Sequence, residues 1–331
     1  MHYASGRGGL NTPGVPEVSW VDGCQIQAGA GFIGSHVCES LLATGAEVVV
    51  FDDFSTGNNR IVGVTMIEGD VRNFDEVLSA MSGCTHIAHL AALASVPASI
   101  ENPELSDAIN LQGTINVINA AHQVGIERIV FSSTAAVYGD SKDIPVTEST
   151  VTNCQSPYAE DKLAAEVAIL NSGIKAISLR YFNVHGPRQD PNGAYAAVIP
   201  AFIQMLIDKK SPAIFGTGEA TRDFVRVQDV AHLNLLALTT ENDAALGEVY
   251  NVASGSVISV LELFNTLRIL LGKKDPSIVT VEPIFAPARE GDILHSSASI
   301  TKARELLGFE PETNPSQALS ATVEAYWAQR D

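Results

Sequence analysis

Short runs of apolar, mostly β-branched residues alternate with helical patterns over about residues 21–181 of this 331-residue chain. Each run is nearly continuous in apolar character, which is typical of strands buried on both faces of a parallel sheet. The first expected strand is faint, because only Val21, Cys24 and Ile26 are apolar there. Further strands are predicted at Glu47–Asp52, Val64–Glu68, His86–Ala92, Arg128–Ser132 and Ala176–Tyr181.

Helices with clear end signals separate these strands. One is expected at about Ile33–Ala43, and a second opens at Pro103 and ends before Gly125. A third opens at Pro157, with Ser156 as its N-cap. This alternation predicts an α/β fold, a Rossmann-type doubly wound parallel sheet.

Beyond residue 185 the alternation loosens into Pro- and Gly-rich segments, which predict a smaller, irregular C-terminal lobe. Helical stretches in it are expected near Ala201–Lys209, Ile258–Leu271 and Ser316–Trp327. Val225–Leu238 and Val249–Ala253 look able to rejoin the sheet. The predicted division is a poorly ordered extension at 1–20, a Rossmann domain at 21–185 with 225–255 rejoining it, and a substrate-binding lobe at 186–224 and 256–331.

Composition and charge narrow the function classes. With 46% hydrophobic residues the chain can build a large core, and its net charge of −18 repels nucleic acid and anionic lipid. No apolar run is long enough to cross a bilayer and no signal-peptide order is present at the start, so we expect a cytoplasmic protein. The four cysteines form no C-x-x-C pair, and His185 and His295 lack ligand spacing. We therefore expect reduced thiols and no metal site.

Gly29, Gly31 and Gly34 satisfy a G-x-G-x-x-G pattern just before a predicted helix, where backbone N–H groups can hold a pyrophosphate. Asp52 ends the next strand, 23 residues after Gly29, where an acid binds the ribose hydroxyls and repels a 2′-phosphate. This spacing favours NAD over NADP. Asp70, at the end of the third strand, could reach the adenine, although a loop aspartate explains it nearly as well.

Tyr158 and Lys162 lie four residues apart on one face of a predicted helix. A nearby ammonium and an oxidised nicotinamide would both favour the phenolate, which is the basic form of tyrosine. Ser132 and Thr134, at the carboxyl end of a predicted strand, offer hydroxyls that can share a proton with this tyrosine. Each motif alone also fits an ordinary helix or strand end, but their order in one α/β chain makes accident improbable.

Motifs along nearly the whole chain, from about Ala28 to Trp327, resemble those of the extended short-chain dehydrogenase/reductases, specifically the nucleotide-sugar C4 epimerases. The resemblance rests on AGAGFIGSH, VFDDFSTG, GDVRN, HLAALASVPAS, FSSTAAVYGD, SPYAEDK, LRYFNVHGPRQDPNGAYAAVIP, FGTGEATRDFVRVQDV and PAREGDILHS. It implies NAD-dependent C4 epimerisation of a UDP-hexose through a 4-keto intermediate, with tightly bound NAD as cofactor. It also implies a homodimer built on the helices that begin near Pro103 and Pro157.

The resemblance also implies roles for individual residues. The implied catalytic residues are Thr134, Tyr158 and Lys162. Beside Tyr158 and Lys162, the implied cofactor-binding residues are Gly29, Gly31, Phe32, Ile33, Gly34, Asp52, Asp53, Asp70, Val71, Leu90, Ala91, Ala92, Asn110, Ser132 and Tyr181. Beside Thr134 and Tyr158, the implied substrate-binding residues are Ser95, Asn183, Ala197, Val198, Phe215, Arg222, Arg289, Asp292 and Ser296. The two arginines suit a diphosphate, because a guanidinium binds it bidentately.

Several departures from the family pattern keep alternatives open. Ala28 replaces the first glycine of the motif and Gln27 the preceding threonine, so a catalytically silent binding protein is one alternative. Ala135 and Ala136 fill positions where 4,6-dehydratases and decarboxylating relatives carry acids, which favours simple epimerisation over those reactions. Ser296 stands at the pocket-gating position, where a small residue admits an N-acetyl group, while Ala135 fits that branch less well. Dual specificity for UDP-GlcNAc/UDP-GalNAc and UDP-glucose/UDP-galactose is therefore expected.

Overall fold

Seven parallel strands form the central sheet of the protein, whose computed structural model describes residues 23–191, 197–288 and 294–330. The strands in chain order are β1 (Cys24–Gln27), β2 (Val48–Asp52), β3 (Thr65–Glu68), β4 (His86–His89), β5 (Arg128–Thr134), β6 (Lys175–Tyr181), β7 (Asn183–His185), β8 (Ala213–Phe215), β9 (Thr221–Arg222), β10 (Phe224–Arg226), β11 (Glu248–Val252), β12 (Ile258–Ser259) and β13 (Ile284–Ala286). The sheet order β11-β6-β5-β4-β1-β2-β3 is that of a doubly wound Rossmann fold, which confirms the predicted fold class.

The predicted strands are present, with shifted ends. The faint first strand is β1, which lies at the centre of the sheet, paired with β2 and β4. β4 ends at His89, three residues earlier than predicted, because the chain leaves the sheet after the Leu90 N–H donates to the Gln27 carbonyl at 3.3 Å. β5 is two residues longer than predicted and ends at Thr134.

The helices in chain order are α1 (Phe32–Ala43), α2 (Phe74–Ala80), α3 (Val96–Glu101), α4 (Pro103–Asp107), α5 (Gly113–Val124), α6 (Pro157–Leu170), α7 (Val198–Ile207), α8 (Val227–Thr239), α9 (Val260–Gly272), α10 (Thr301–Leu307) and α11 (Pro315–Ala328). The helix predicted to open at Pro103 and end before Gly125 is present, but it is not α-helical throughout. A π-helical turn over Ala108–Gln112 joins α4 to α5, and such turns often mark functional sites.

Two apolar layers sandwich the sheet. On one face Val37 and Leu41 of α1 and Leu233 of α8 pack against the strands, and on the other Val117 of α5 and Ile169 of α6 do so. β11 pairs in parallel with β6, so the segment that follows α8 returns to the sheet. The helices therefore hold the carboxyl ends of the strands, where the predicted site lies, in one rigid frame.

A second hydrophobic core lies between α7, α9 and α11, with Phe202, Phe264 and Leu319 among its buried residues. Three short strand pairs (β7 with β10, β8 with β13, β9 with β12) form separate two-stranded sheets outside the central sheet. The domain boundaries given above stay a prediction. Within the described ranges, every helix is too short or too polar to cross a bilayer.

Candidate active site

The turn between β1 and α1 can form only with small residues. A Cβ at Gly34 would lie 2.1 Å from the Ala28 carbonyl oxygen, and one at Gly31 would lie 3.3 Å from the same atom. Gly31 is the N-cap of α1 and has no side chain to bind the first-turn N–H groups, including those of Phe32 and Ile33. Such a turn presents backbone N–H groups and the positive end of a helix dipole, which fits the pyrophosphate of a dinucleotide.

Asp52 is fixed at the end of β2 beside this turn. Its carboxylate accepts hydrogen bonds from the Ala30 N–H and the Phe54 N–H, both at 2.8 Å. Burial raises the pKa of Asp52, and the two N–H donors oppose that effect. The arrangement places an oriented carboxylate next to the glycine turn, as ribose binding by NAD requires. The residues present therefore fit the cofactor.

Thr134 and Tyr158 meet at the carboxyl end of β5. Thr134 caps the short 3₁₀ turn Ala135–Tyr138 by accepting the Ala136 N–H at 3.1 Å, and its side chain is hydrogen-bonded to the Tyr158 phenol. Burial raises the pKa of Tyr158, whereas the Thr134 hydrogen bond lowers it. Because the Thr134 oxygen accepts from the backbone, its hydroxyl proton is free to donate to a phenolate.

Lys162 lies one turn after Tyr158 on α6 and is 1% exposed. Its ammonium lies 4.2 Å from the centre of the Phe131 ring. Burial lowers the pKa of Lys162 to about 7, and the Glu166 carboxylate opposes that shift. A cation at this position would favour the ionised form of Tyr158.

Two further predicted cofactor residues, Tyr181 and Asn110, make hydrogen bonds in this part of the fold. Tyr181, paired with Thr134 in the β5–β6 register, is hydrogen-bonded to Ser132 and to Asn234. Asn110, in the π-helical turn, accepts the Leu93 N–H at 2.8 Å and so fixes the loop after β4. That loop contains three further predicted cofactor residues, Leu90, Ala91 and Ala92.

On the substrate side, β9 brings predicted residues together. Arg222 donates to the Thr221 carbonyl at 2.9 Å, and the Ser296 N–H donates to the same carbonyl at 3.1 Å. The Asn183 amide donates to the Asp223 carbonyl at 2.9 Å. These bonds connect Asn183, Arg222 and Ser296 to the segment Thr221–Asp223. Asn183 itself follows Tyr181 by two residues.

The remaining predicted residues are placed less closely. Asp53 is exposed and accepts from the Ser55 N–H and hydroxyl, Asp70 is paired with Arg72, and Ser95 caps α3. Arg72 holds the pKa of Asp70 below its usual range. Five more predicted residues lie at element ends or in the loop after β3, namely Gly29 before α1, Val71 after β3, Ala197 and Val198 at the start of α7 and Phe215 at the end of β8. Arg289 and Asp292 lie outside the described residues.

Two residues that the sequence analysis did not single out support the site. The Asn59 amide donates to the Ala30 and Gly31 carbonyls at 2.9 and 3.3 Å and so braces the glycine turn. Asp223 is fully buried and accepts from the Ser254 N–H, the Ser254 hydroxyl and the Gly255 N–H. Its place directly after Arg222 in the sequence could have identified Asp223 as part of the site. The part of the chain that the structure describes contains no His, Cys, Asp or Glu cluster suited to a metal ion.

Comparison with known proteins places this site in a family. The model of the NAD dependent epimerase/dehydratase family matches residues 28–253. The UDP-glucose 4-epimerase of Lacticaseibacillus casei is 33% identical over 91% of this chain and 95% of its own. The crystal structure of the Thermotoga maritima UDP-glucose 4-epimerase with UDP-glucose is 33% identical, with a TM-score of 0.86 over 93% of this chain and 100% of that one.

A second solved structure, the UDP-N-acetylglucosamine 4-epimerase of Methanobrevibacter ruminantium with UDP-N-acetylmuramic acid, is 32% identical. Its TM-score is 0.85 over 93% of this chain and 99% of that one. These matches confirm three predictions, namely an enzyme, an epimerase relationship and NAD as the cofactor. The family model covers most of this chain, including the glycine turn, Asp52, Thr134, Tyr158 and Lys162, and the chain belongs to the NAD dependent epimerase/dehydratase family.

Proposed function

We propose that this protein interconverts UDP-hexoses by NAD-dependent epimerisation at C4. The observation that carries the proposal is that Thr134, at the carboxyl end of β5, faces the Tyr158 phenol of α6, with Lys162 one helical turn from Tyr158. This group lies at the same edge of the sheet as the glycine turn and Asp52. Proton transfer at a sugar hydroxyl and binding of a dinucleotide are thereby combined in one site.

In this proposal Tyr158 accepts the proton of the sugar 4-OH, and the Thr134 hydroxyl stabilises the resulting charge on the phenol oxygen. Lys162 favours the phenolate electrostatically. NAD, when bound, supplies the acceptor and later the donor of the C4 hydrogen. The 4-keto sugar turns in the pocket, and Tyr158 then returns the proton to the 4-oxygen of the epimer.

The substrate side of the site fits a nucleotide sugar. Arg222 offers a planar cation for a diphosphate, and we expect Arg289 to do the same. The Ser296 N–H donates to the Thr221 carbonyl, which Arg222 also contacts. The small Ser296 side chain would leave room for an N-acetyl group. We therefore propose that both plain and N-acetylated UDP-hexoses are substrates.

Dehydratase or decarboxylase chemistry is less well supported. Elimination needs an acid or base beyond Tyr158, and the two residues after Thr134 are Ala135 and Ala136. Neither has a titratable group. A homodimer built on α4 to α6 and a cytoplasmic location stay predictions; light scattering during gel filtration checks the first.

Proton NMR of the purified protein with UDP-N-acetylglucosamine and, separately, UDP-glucose tests the proposal, with and without added NAD. The anomeric signals of the galacto-configured products should appear for both sugars. Reaction of UDP-glucose alone would mean that Ser296 does not set substrate size. A product of changed mass would indicate elimination or decarboxylation, and silence with both sugars after adding NAD would overturn the proposal.

A further inference from the structure

A buried carboxylate lies one helical turn behind the active-site lysine. Glu166 and Lys162 are four residues apart on α6, so their side chains neighbour each other on one helix face. Glu166 is 2% exposed and Lys162 is 1% exposed. Water therefore screens this pair weakly, and the charge of one group strongly affects the other.

The Glu166 carboxylate accepts hydrogen bonds from three donor groups. Arg180 of β6 binds it bidentately, at 2.6 Å to Oε1 and 3.1 Å to Oε2, and the Ser178 hydroxyl donates to Oε2 at 3.0 Å. Arg180 and Ser178 therefore hold the Glu166 carboxylate in one position between α6 and β6.

The same network reaches the segment that follows Thr134. Arg180 also donates to the Tyr138 hydroxyl at 2.9 Å, and that hydroxyl donates to the Asn251 side chain at 2.7 Å. Tyr138 ends the 3₁₀ turn that Thr134 caps. Glu166 and Arg180 are therefore connected to both Lys162 and the Thr134 turn, although neither belongs to the predicted catalytic group.

Lys162 has a strong physical need for a nearby negative charge. Burial lowers the pKa of Lys162 to about 7 even though the Glu166 carboxylate opposes the shift, so without that counter-charge the amine would lose its proton at neutral pH. Its other titratable neighbours do not supply that charge. Burial, together with the nearby Lys162 charge, lowers the pKa of His89 on β4, so this histidine carries no negative charge. Tyr158 is a phenol, and Asp161 is hydrogen-bonded to Ser106 of α4.

We propose that Glu166, held by Arg180, is a positioning residue that keeps Lys162 protonated and so sets the pH range over which Tyr158 can act as a base. The part that concerns Tyr158 rests on the proposed function. The part that concerns Lys162 does not, because the protonation of an amine can be measured without any turnover.

The double variant Glu166→Gln/Arg180→Met tests the proposal without leaving the buried Arg180 guanidinium unpaired. Isotope-edited NMR of labelled lysine side chains, assigned with Lys162→Met, follows the titration of Lys162 directly. We expect its midpoint to fall by about 1 pH unit in the double variant. If the wild-type enzyme epimerises a sugar, the alkaline limb of the kcat/KM profile should lie at a lower pH in the double variant than in the wild type. The shift should be similar to that of the Lys162 midpoint.

Two further variants separate this electrostatic role from a structural one. Arg226→Met/Asp229→Asn removes a different ion pair, in which Arg226 donates to the buried Asp229 carboxylate at 2.8 and 2.7 Å. This variant should leave the Lys162 midpoint unchanged. Glu166→Asp keeps the negative charge on a side chain that is one methylene shorter. The Lys162 midpoint should therefore fall by less than half as much as it does in the double variant. If the double variant does not fold, this single variant still decides.

An unchanged Lys162 midpoint in every folded Glu166 variant would overturn the proposal. A wild-type protein that turns over neither sugar would refute the proposed function alone, because the lysine titration would still report on Glu166. A lower Lys162 midpoint with an unchanged kcat/KM profile would show that Glu166 acts on Lys162 but does not set the working range of Tyr158.

Discussion

The glycine-turn unit (Cys24–Ala43) and the Tyr158 unit (Arg128–Leu170) enter the same sheet through β1 and β5, but β1 and α6 bury polar side chains in opposite ways. In the glycine-turn unit, Gln25 and Gln27 are fully buried, and Gln25 Nε2 and Gln27 Oε1 have no partner among the described residues. In the Tyr158 unit, the buried Glu166 is matched by Arg180 and Ser178. Buried polarity thus burdens stability in the first unit and supports chemistry in the second.

The position of β1 in the fold and the shape of the cofactor-binding turn depend on different residues. β1 keeps its central place because Cys24 and Ile26 pack on one face and its backbone pairs with β2 and β4. Ala28, which follows β1, has a φ of +59°, a conformation that costs an L-residue about 1–2 kcal/mol. The departures from the family pattern therefore act on stability and on the cofactor turn, while the architecture is kept by packing.

The largest expected effect concerns the Tyr158 unit. Tyr158→Phe removes the proposed base and should lower the rate of epimerisation by roughly 10²- to 10⁴-fold. The rate is followed by NMR of the anomeric signals. Tyr250→Phe is the matched control, because Tyr250 is also buried and its hydroxyl donates to the Ala245 carbonyl at 3.0 Å, outside the predicted site. Equal rates for both variants would remove Tyr158 from the mechanism.

Acid should destabilise the sheet through His89, which pairs with Gln27 in the β1–β4 register. Burial lowers the pKa of His89 from 6.5 to about 3, so the unfolded chain binds the proton and the folded chain does not. Through His89 alone, the free energy of unfolding should fall as the pH drops from 6.5 towards about 3, by roughly 1.4 kcal/mol per pH unit. Urea unfolding at a series of pH values measures the slope.

His89→Leu should reduce that slope by roughly 1.4 kcal/mol per pH unit without abolishing it, because burial also lowers the pKa of His185 to about 3. The same change at His232, which is exposed, should leave the slope as in the wild type. A slope that does not change in His89→Leu would assign the acid sensitivity to other groups, such as the buried His185.

A smaller gain is expected from repairing β1. Gln25→Leu/Gln27→Leu removes both unpartnered amide atoms at nearly constant volume and should raise the free energy of unfolding by about 1–3 kcal/mol. Gln27→Leu alone should gain less, because it removes the 3.2 Å hydrogen bond that the Gln27 amide donates to Gln25. Denaturant midpoints of the three proteins check the order, and a double variant less stable than the wild type would contradict it.

The features that could be predicted from the sequence are those in which residue chemistry and hydrophobic periodicity point to the same element. The strands of the sheet and the approach of Thr134 to Tyr158 follow from apolar runs and from the rule that parallel strands end at one edge. The π-helical turn at Ala108–Gln112 could not be predicted, because it depends on contacts such as that of Asn110 with the Leu93 N–H. The Glu166–Arg180 pair was missed for a similar reason, since 14 residues separate its members in the chain.

The smallest effect is expected at Ala28, and it bears most directly on the cofactor. Ala28→Gly relieves the positive φ but adds flexibility to the unfolded chain, so the free energy of unfolding should rise by only about 0.5–1 kcal/mol. The glycine also frees the turn to settle around a pyrophosphate, so NAD should bind more tightly. Calorimetric titration with NAD and thermal melting measure the two effects.

Lys209→Gly is the matched control, because Lys209 has a φ of +57° and lies outside the predicted site. It loses an exposed ion pair with Asp275 that contributes little. Its stability should therefore rise by at most a similar amount, while its affinity for NAD stays that of the wild type. Tighter NAD binding in Ala28→Gly alone would assign the effect to the cofactor turn, whereas equal affinity in all three proteins would mean that Ala28 burdens stability but not the cofactor.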